Sequence, residues 1–354
     1  MLRIKKGETA EKLLAFVGLC GEVPVVLLRQ WDGYYDYNRR LVTRLVREGY
    51  LRERKMRGYK GRTVRSLSIT DAGLGRLRDV SPVYADVIGR HVLAPEQSYG
   101  VWKKALRLHR GAWCLLTAMK LGAVWMPGKE KRKAQQSGRL CYFTAYELDR
   151  YYGWDNKGVR ASGVFCLRQF FYPVYYLGSH NMRWNETVEE WFCDRLEQAW
   201  SSRGCSLKGA LFLSEDWPLA ANLMHTWVWP RTKMIHSAPY TFSYCVPVDQ
   251  NGLRVLRLIL DESALIYFHR YLTTHNINAY DHDEDFLFEL NRLASFVRWP
   301  GKKNLHYPDL GLFFDFQLKT AAQLNDFHIK LKTIPGIWLE HSCSKYLGAD
   351  DTNP

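Results

Sequence analysis

The sequence predicts an α+β chain in three parts: a basic domain of helices and a hairpin over residues 1–80, a helical connector ending in a basic loop over 81–139, and a mixed α/β domain over 140–354. Three observations predict this. The excess positive charge is confined to the first 139 residues. Apolar residues in that stretch recur at helical spacing except between 51 and 69, where they alternate as in strands. Beyond residue 140, long apolar strands take turns with amphipathic helices.

Charge is the most informative property. The 354 residues carry a net +14. Residues 1–79 hold 18 Lys/Arg against nine Asp/Glu, and residues 101–139 hold ten against one, Glu130. Residues 140–354 carry a net −3, so only the first part is built for a polyanion. With 47% hydrophobic residues the chain is not disordered. No apolar run reaches the ~18–20 residues of a membrane span. The opening MLRIKKGETAEKLL is basic but runs into a polar helix pattern, so no signal peptide is expected and a cytoplasmic location is. Eight cysteines are scattered without a CxxC pair. They read as reduced, mostly buried thiols, so no zinc site, disulfide framework or cofactor is expected.

In the first part, Leu13, Leu14, Phe16 and Val17 mark a helix that Thr9 can cap and that Gly18 and Gly21 break. VPVVLLRQW reads as a second short helix entered through Pro24. After the Gly33 turn comes a third, Tyr37 to Glu48, with Leu41, Val42, Leu45 and Val46 inward and Gly49 at its end. Leu51 opens one strand, and Val64, Leu67 and Ile69 alternate along another, around a tip from Lys55 to Arg62. Thr70 caps a last helix. This order is that of a winged helix-turn-helix.

Residues 80–126 read as helical, and Pro127-Gly128 opens a mobile charged loop over 128–139 that serves as the domain boundary. Beyond it, SGVFCLRQFFYPVYYLG reads as a hairpin with Pro173 on an edge, 185–200 as a helix and 209–216 as a buried strand. TFSYCVPVD and LRVLRLIL read as a second hairpin about Gln250-Asn251-Gly252. Helices are expected over 218–225, Asp285 to Val297 and 320–332, with strands over 311–316 and 336–342.

Recognition helices present their outward face to base edges in the major groove. With the apolar set inward, the outward set is Asn38, Arg39, Arg40, Thr43, Arg44 and Arg47. Arginine can bond guanine, and asparagine adenine, through two hydrogen bonds at once. Tyr34, Tyr35 and Tyr37 sit where the chain enters the helix, placed for phosphate contacts or packing. The hairpin tip supplies Arg54, Lys55, Arg57, Lys60 and Arg62 to phosphates or the minor groove. A second basic cluster joins Trp102, Lys103, Lys104, Arg107, His109 and Arg110 with Lys129, Lys131, Arg132, Lys133 and Arg139. It either extends the phosphate footprint or is a solvated surface.

Other chemistry is weaker. HYPDLGLFFDFQLK places Pro308-Asp309 ahead of Gln317 and Lys319, an echo of the PD-(D/E)xK nuclease pattern in which two carboxylates hold Mg²⁺. Glutamine stands where the second acid belongs, so the segment reads better as a turn and strand. DHDED (281–285) reads as a charged turn, and Glu215-Asp216 as a strand end. His180, His225, His236 and His269 lack metal-ligand spacing. No phosphate-binding or nucleophile-elbow motif occurs, and no catalytic residue is assigned.

Taken together, LVTRLVREGYLRER, VRSLSITDAGLGRL, LTAMKLGAVWMP, FTAYEL, VRASGVFCL, YPVYYLG and FFDFQLK resemble the replication-relaxation-type winged-helix proteins of Gram-positive plasmids and integrative or conjugative elements. The resemblance implies a restriction-endonuclease-like fold for the downstream domain and a role in DNA handling by a mobile genetic element: replication, relaxosome or transcription control. It implies double-stranded DNA as partner. The α/β domain would then form a homodimer or contact a relaxase or replication initiator. A metal-dependent nuclease at Asp309 and Lys319, and a protein-interaction module without nucleic acid, are the alternatives.

Overall fold

The computed structural model describes residues 4–57, 63–91, 102–152, 159–178, 185–201, 204–215 and 243–249, with Gly252, Leu253, Leu256, Arg257 and Leu260. It is a mixed α+β chain. The residues divide into two compact units, Met1–Asp155 with Ser162–Val164, and Asn156–Ala161 with Phe165–Pro354. The segment expected as a connector therefore lies within the first unit.

The first unit opens with α1 (Thr9–Cys20). Thr9 is its first helical residue, not its cap; Glu8 precedes it without a side-chain cap bond. Gly18 does not break the helix. It lies inside α1, and a Cβ there would stand 2.8 Å from Ile88 Cδ1, so the missing side chain admits a second helix at close range. Gly21, at φ +74°, ends α1. Next comes β1 (Val23–Pro24), then the expected short helix, a 3₁₀ helix over Val25–Arg29 entered through Pro24. Helix α2 (Tyr35–Arg47) follows. Gly49, at φ +77°, closes it as anticipated: the Gly49 and Tyr50 amides donate to the Val46 and Leu45 carbonyls.

Strands β2 (Leu51–Arg57) and β3 (Thr63–Ile69) pair antiparallel from Leu51 opposite Ile69 to Arg57 opposite Thr63. Beyond the expected hairpin, β1 adds to the other side of β3, giving the order β1-β3-β2. Thr70 caps α3 (Asp71–Val80), its Oγ1 accepting from the Gly73 amide at 3.0 Å. The same hydroxyl lies 2.5 Å from the Gly49 carbonyl oxygen and so ties the end of α2 to the start of α3. Helices α4 (Pro82–His91) and α5 (Trp102–Lys120) pack on α1, with Ala85, Ile88, Ala105, Ala112, Leu115 and Leu116 buried. Val83, on α4, is exposed. The centre of this core is Leu13, Leu14, Phe16 and Val17 with Leu27, Leu45, Leu67 and Leu77; Phe16 meets Trp31 at 4.8 Å between ring centroids.

The expected loop over 128–139 is instead a helix, α6 (Lys129–Gln136). Lys131 and Ala134, one turn apart, are its buried residues. After α6 come β4 (Cys141–Thr144) and α7 (Ala145–Tyr152). Lys131 Nζ lies 2.6 Å from Glu147 Oε2, donates to the Tyr142 carbonyl at 2.8 Å, and sits over the Phe143 ring. Burial pulls the Lys131 ammonium below its ordinary range and pushes the Glu147 carboxyl above its own, although each charge favours the other.

In the second unit, which takes β5 (Gly163–Leu167) from Phe165 onward, that strand turns through Arg168 and Gln169 into β6 (Phe170–Gly178), as the hairpin reading expected. Pro173 is not on an edge. β6 has β5 on one side and parallel β7 (Ser206–Leu207) and β8 (Ala210–Ser214) on the other. Pro173 falls between the two registers, after Phe171 opposite Leu207 and before Val174 opposite Leu211, where the ladder is interrupted. β9 (Ser243–Pro247) runs parallel to β8. Helix α8 (Glu186–Ser201) buries Glu189, Phe192, Cys193, Leu196 and Trp200, a helical stripe. Glu189 accepts from the Tyr175 hydroxyl at 2.8 Å and the Arg160 amide at 2.6 Å.

The second expected hairpin is absent. Gly252, Leu253, Leu256, Arg257 and Leu260 are helical. Asp249 starts this turn: its Oδ1 accepts from the Gly252 amide at 2.7 Å and its carbonyl from the Leu253 amide at 3.0 Å. The buried Leu253, Leu256 and Leu260 are spaced three and four apart, a helical period. The expected elements over 218–225, 285–297, 311–316, 320–332 and 336–342 lie outside the described residues.

Candidate nucleic-acid interface

Helix α2 carries the candidate surface. Leu41, Val42 and Leu45 are buried and Val46 half-buried, which turns Arg39, Arg40, Thr43, Arg44 and Arg47 outward together with Tyr37. Asn38 is the exception. It is 1% exposed, its Nδ2 donates to the Asp32 carbonyl at 3.1 Å, and its Oδ1 has no partner. Asn38, Leu41, Val42 and Leu45 follow the i, i+3, i+4, i+7 period, so asparagine holds the turn before α2 from the core side and cannot reach a base. At the entry to the helix Tyr34 and Tyr37 are 87% and 55% exposed.

The outward arginines differ in their partners. Arg39 lies 3.7 Å from Asp36, and Arg44 Nε 3.4 Å from Glu48 Oε1, both on the helix surface where such pairs contribute little and rearrange readily. Arg40 and Arg47 have no carboxylate partner among the described residues. Thr43 donates its hydroxyl to the Arg39 carbonyl at 2.9 Å.

The hairpin meets the expectation only in part. Lys55 is exposed on β2. Arg54 is not a free cation: its Nη2 reaches both oxygens of Glu22, at 3.0 and 2.9 Å. Arg57 ends β2. The tip with Lys60 and Arg62 lies outside the described residues. Arg65, which the pattern did not single out, is exposed and holds Glu53 with its guanidinium at 2.5 and 2.9 Å. The Tyr35 phenol lies within electrostatic reach of Arg65, and α2 packs against β2, so helix and hairpin adjoin.

No protein-family model matches the chain. No curated protein and no solved structure matches it either.

A buried polar cluster behind the hairpin went unnoticed in the sequence. The Glu22 carboxylate, in the bend between α1 and β1, takes Arg54 from β2 and stands 3.7 Å from His109 Nε2 of α5. That ring nitrogen is 3.0 Å from Ser66 Oγ of β3. His109 was expected on the basic surface; it is buried here instead. Serine, histidine and glutamate together suggest a nucleophile, but Ser66 is 1% exposed, and the carboxylate and the hydroxyl face the same ring nitrogen. The group is a clamp between hairpin and α5, not a catalytic triad. Nothing in the sequence marks Glu22, because its partners lie 32 to 87 positions away.

Burial alone would raise the Glu22 carboxyl, but hydrogen bonds from His109, Arg54 and Ser66 outweigh it and hold the group below its ordinary value. A lowered folded value stabilises the fold above the ordinary carboxylate range, and this contribution is lost as pH falls through the lowered value. Wild-type chain is expected to lose urea resistance between about pH 5 and pH 3 more steeply than Glu22→Gln. Parallel pH curves for the two proteins would remove the assignment.

Of the second basic cluster, Lys131 is buried, whereas Arg107, Lys129, Arg132, Lys133 and Arg139 are exposed. Among the described residues no group of three His, Cys, Asp or Glu is arranged to hold a metal, and no helix is long and apolar enough to cross a membrane. Burial lifts the Cys114 thiol to about 12. The segments of Asp309, Gln317 and Lys319, of 281–285, and of His180, His225, His236 and His269 lie outside the described residues.

Proposed function

We propose that this chain is a sequence-reading double-stranded DNA-binding protein, and that its first 80 or so residues act as a winged helix-turn-helix. The observation that carries the reading is the outward face of α2. Arg39, Arg40, Thr43, Arg44, Arg47 and Tyr37 share it, backed by a buried apolar stripe. The element order around it supports the same reading: helix, short strand, 3₁₀ turn, helix, hairpin, with the sheet ordered β1-β3-β2. A helix of this kind enters the major groove while the hairpin follows the backbone. On this reading Arg40 and Arg47 contact the duplex directly, Arg39 and Arg44 exchange weak surface partners for it, and Lys55 and Arg57 meet phosphate. Arg54 and Asn38 shape the surface from behind.

The role in a mobile genetic element, in replication, relaxosome or transcription control, is proposed from the resemblance. The partners proposed with it, a second copy of the chain, a relaxase or a replication initiator, rest on the same ground.

A salt titration of duplex binding tests the reading. Each phosphate neutralised contributes about −0.9 to the slope of log affinity against log salt. Four to six contacts predict a slope of about −4 to −5. Absence of binding at low salt, or affinity that ignores salt, would end the proposal.

A further inference from the structure

We propose that the outer face of α6 is a second docking surface for the backbone of duplex DNA, separate from α2. The choice of polyanion rests on the duplex-binding reading. The surface itself rests on how α6 is held.

A helix this short and polar has little stability of its own. Here two residues one turn apart, Lys131 and Ala134, are buried, and Lys131 is fastened by Glu147, the Tyr142 carbonyl and the Phe143 ring. This peg sets the rotation of the helix. Lys129, Arg132, Lys133 and Gln136 are then all exposed, at the i, i+3, i+4, i+7 positions of a single face. Arg139 is exposed just beyond. The one acid of the segment, Glu130, lies 3.3 Å from Lys133, with both side chains mostly in water, so it screens the stripe only weakly. Three cations held in register on one exposed helix face suit a regularly charged backbone read by charge.

The test uses the full chain and measures affinity for a random-sequence duplex against salt, beside affinity for a duplex selected from a random pool. The variant Lys129→Gln/Arg132→Gln/Lys133→Gln is expected to shrink the salt slope by about 2 to 3 and to weaken random-duplex binding tenfold or more at low salt. The ratio of selected to random affinity should stay unchanged. Arg40→Ala/Arg44→Ala should do the reverse, collapsing that ratio. An unchanged slope in the α6 variant overturns the proposal and leaves the α2 reading intact. A reduced slope with a silent Arg40/Arg44 variant supports it and ends the α2 reading. Loss of affinity for duplex RNA alone overturns it. If the urea midpoint of the triple variant falls, Lys129→Gln and Lys133→Gln are read singly, each expected to remove about one unit of slope.

Discussion

Lys131→Met is expected to lower the unfolding free energy by about 3–5 kcal/mol, because it leaves the Glu147 carboxylate buried and unpaired. The single replacement also frees the Tyr142 carbonyl, which accepts from Lys131 Nζ at 2.8 Å. Removing both charges should cost far less. Burial works against each ion of this pair, so Lys131→Met/Glu147→Leu trades an expensive desolvation for apolar contact. It is expected to recover most of the loss, to within about 2 kcal/mol of wild type. Urea unfolding followed by far-UV circular dichroism reads both. A single variant as stable as wild type would show that the pair does not hold α6.

The second large effect belongs to α2. Replacing Arg40 and Arg44 together by alanine is expected to weaken binding to a selected duplex by about 2–6 kcal/mol, from ~1–3 for each two-bond guanine contact. Binding to random duplex should change much less, since each arginine contributes roughly one phosphate-scale contact there. Both side chains are exposed, so the urea midpoint should stay in place. Equal losses on selected and random DNA would mean that these arginines neutralise phosphates without reading bases.

Much of the first unit is legible in the residues. The heptad-like spacing of Leu41, Val42 and Leu45 predicts α2 to within two residues at its start, and Gly49 marks its end. Thr70 announces α3, and the alternation of Val64, Leu67 and Ile69 announces β3. The same spacing, extended one turn back, places Asn38 inward; reading it as a base contact took its chemistry ahead of its period. Gly18 shows the opposite error. Glycine is a weak helix former, yet α1 keeps it because Ile88 needs the space. At 253–260, apolar residues interrupted by Arg254 and Arg257 fit a strand as well as a helix, and the described residues are helical.

The basic segment over 128–139 separates local from tertiary causes most clearly. By composition alone it is a solvated loop, since nothing local repays ordering five lysines and arginines. The structure orders it through one lysine that meets a carboxylate 16 positions later.

Amino-acid order by itself determined the α+β class, the helix periods, the glycine and threonine signals at helix ends, and the confinement of charge to the first 139 residues. These follow from local geometry and from counting. Only the tertiary structure decided which cations face solvent. Arg54 and Lys131 turn inward because carboxylates remote in sequence, Glu22 and Glu147, offer them pairing away from water. Charge is written at each position along the chain, but its availability depends on partners that folding alone brings within a few ångströms.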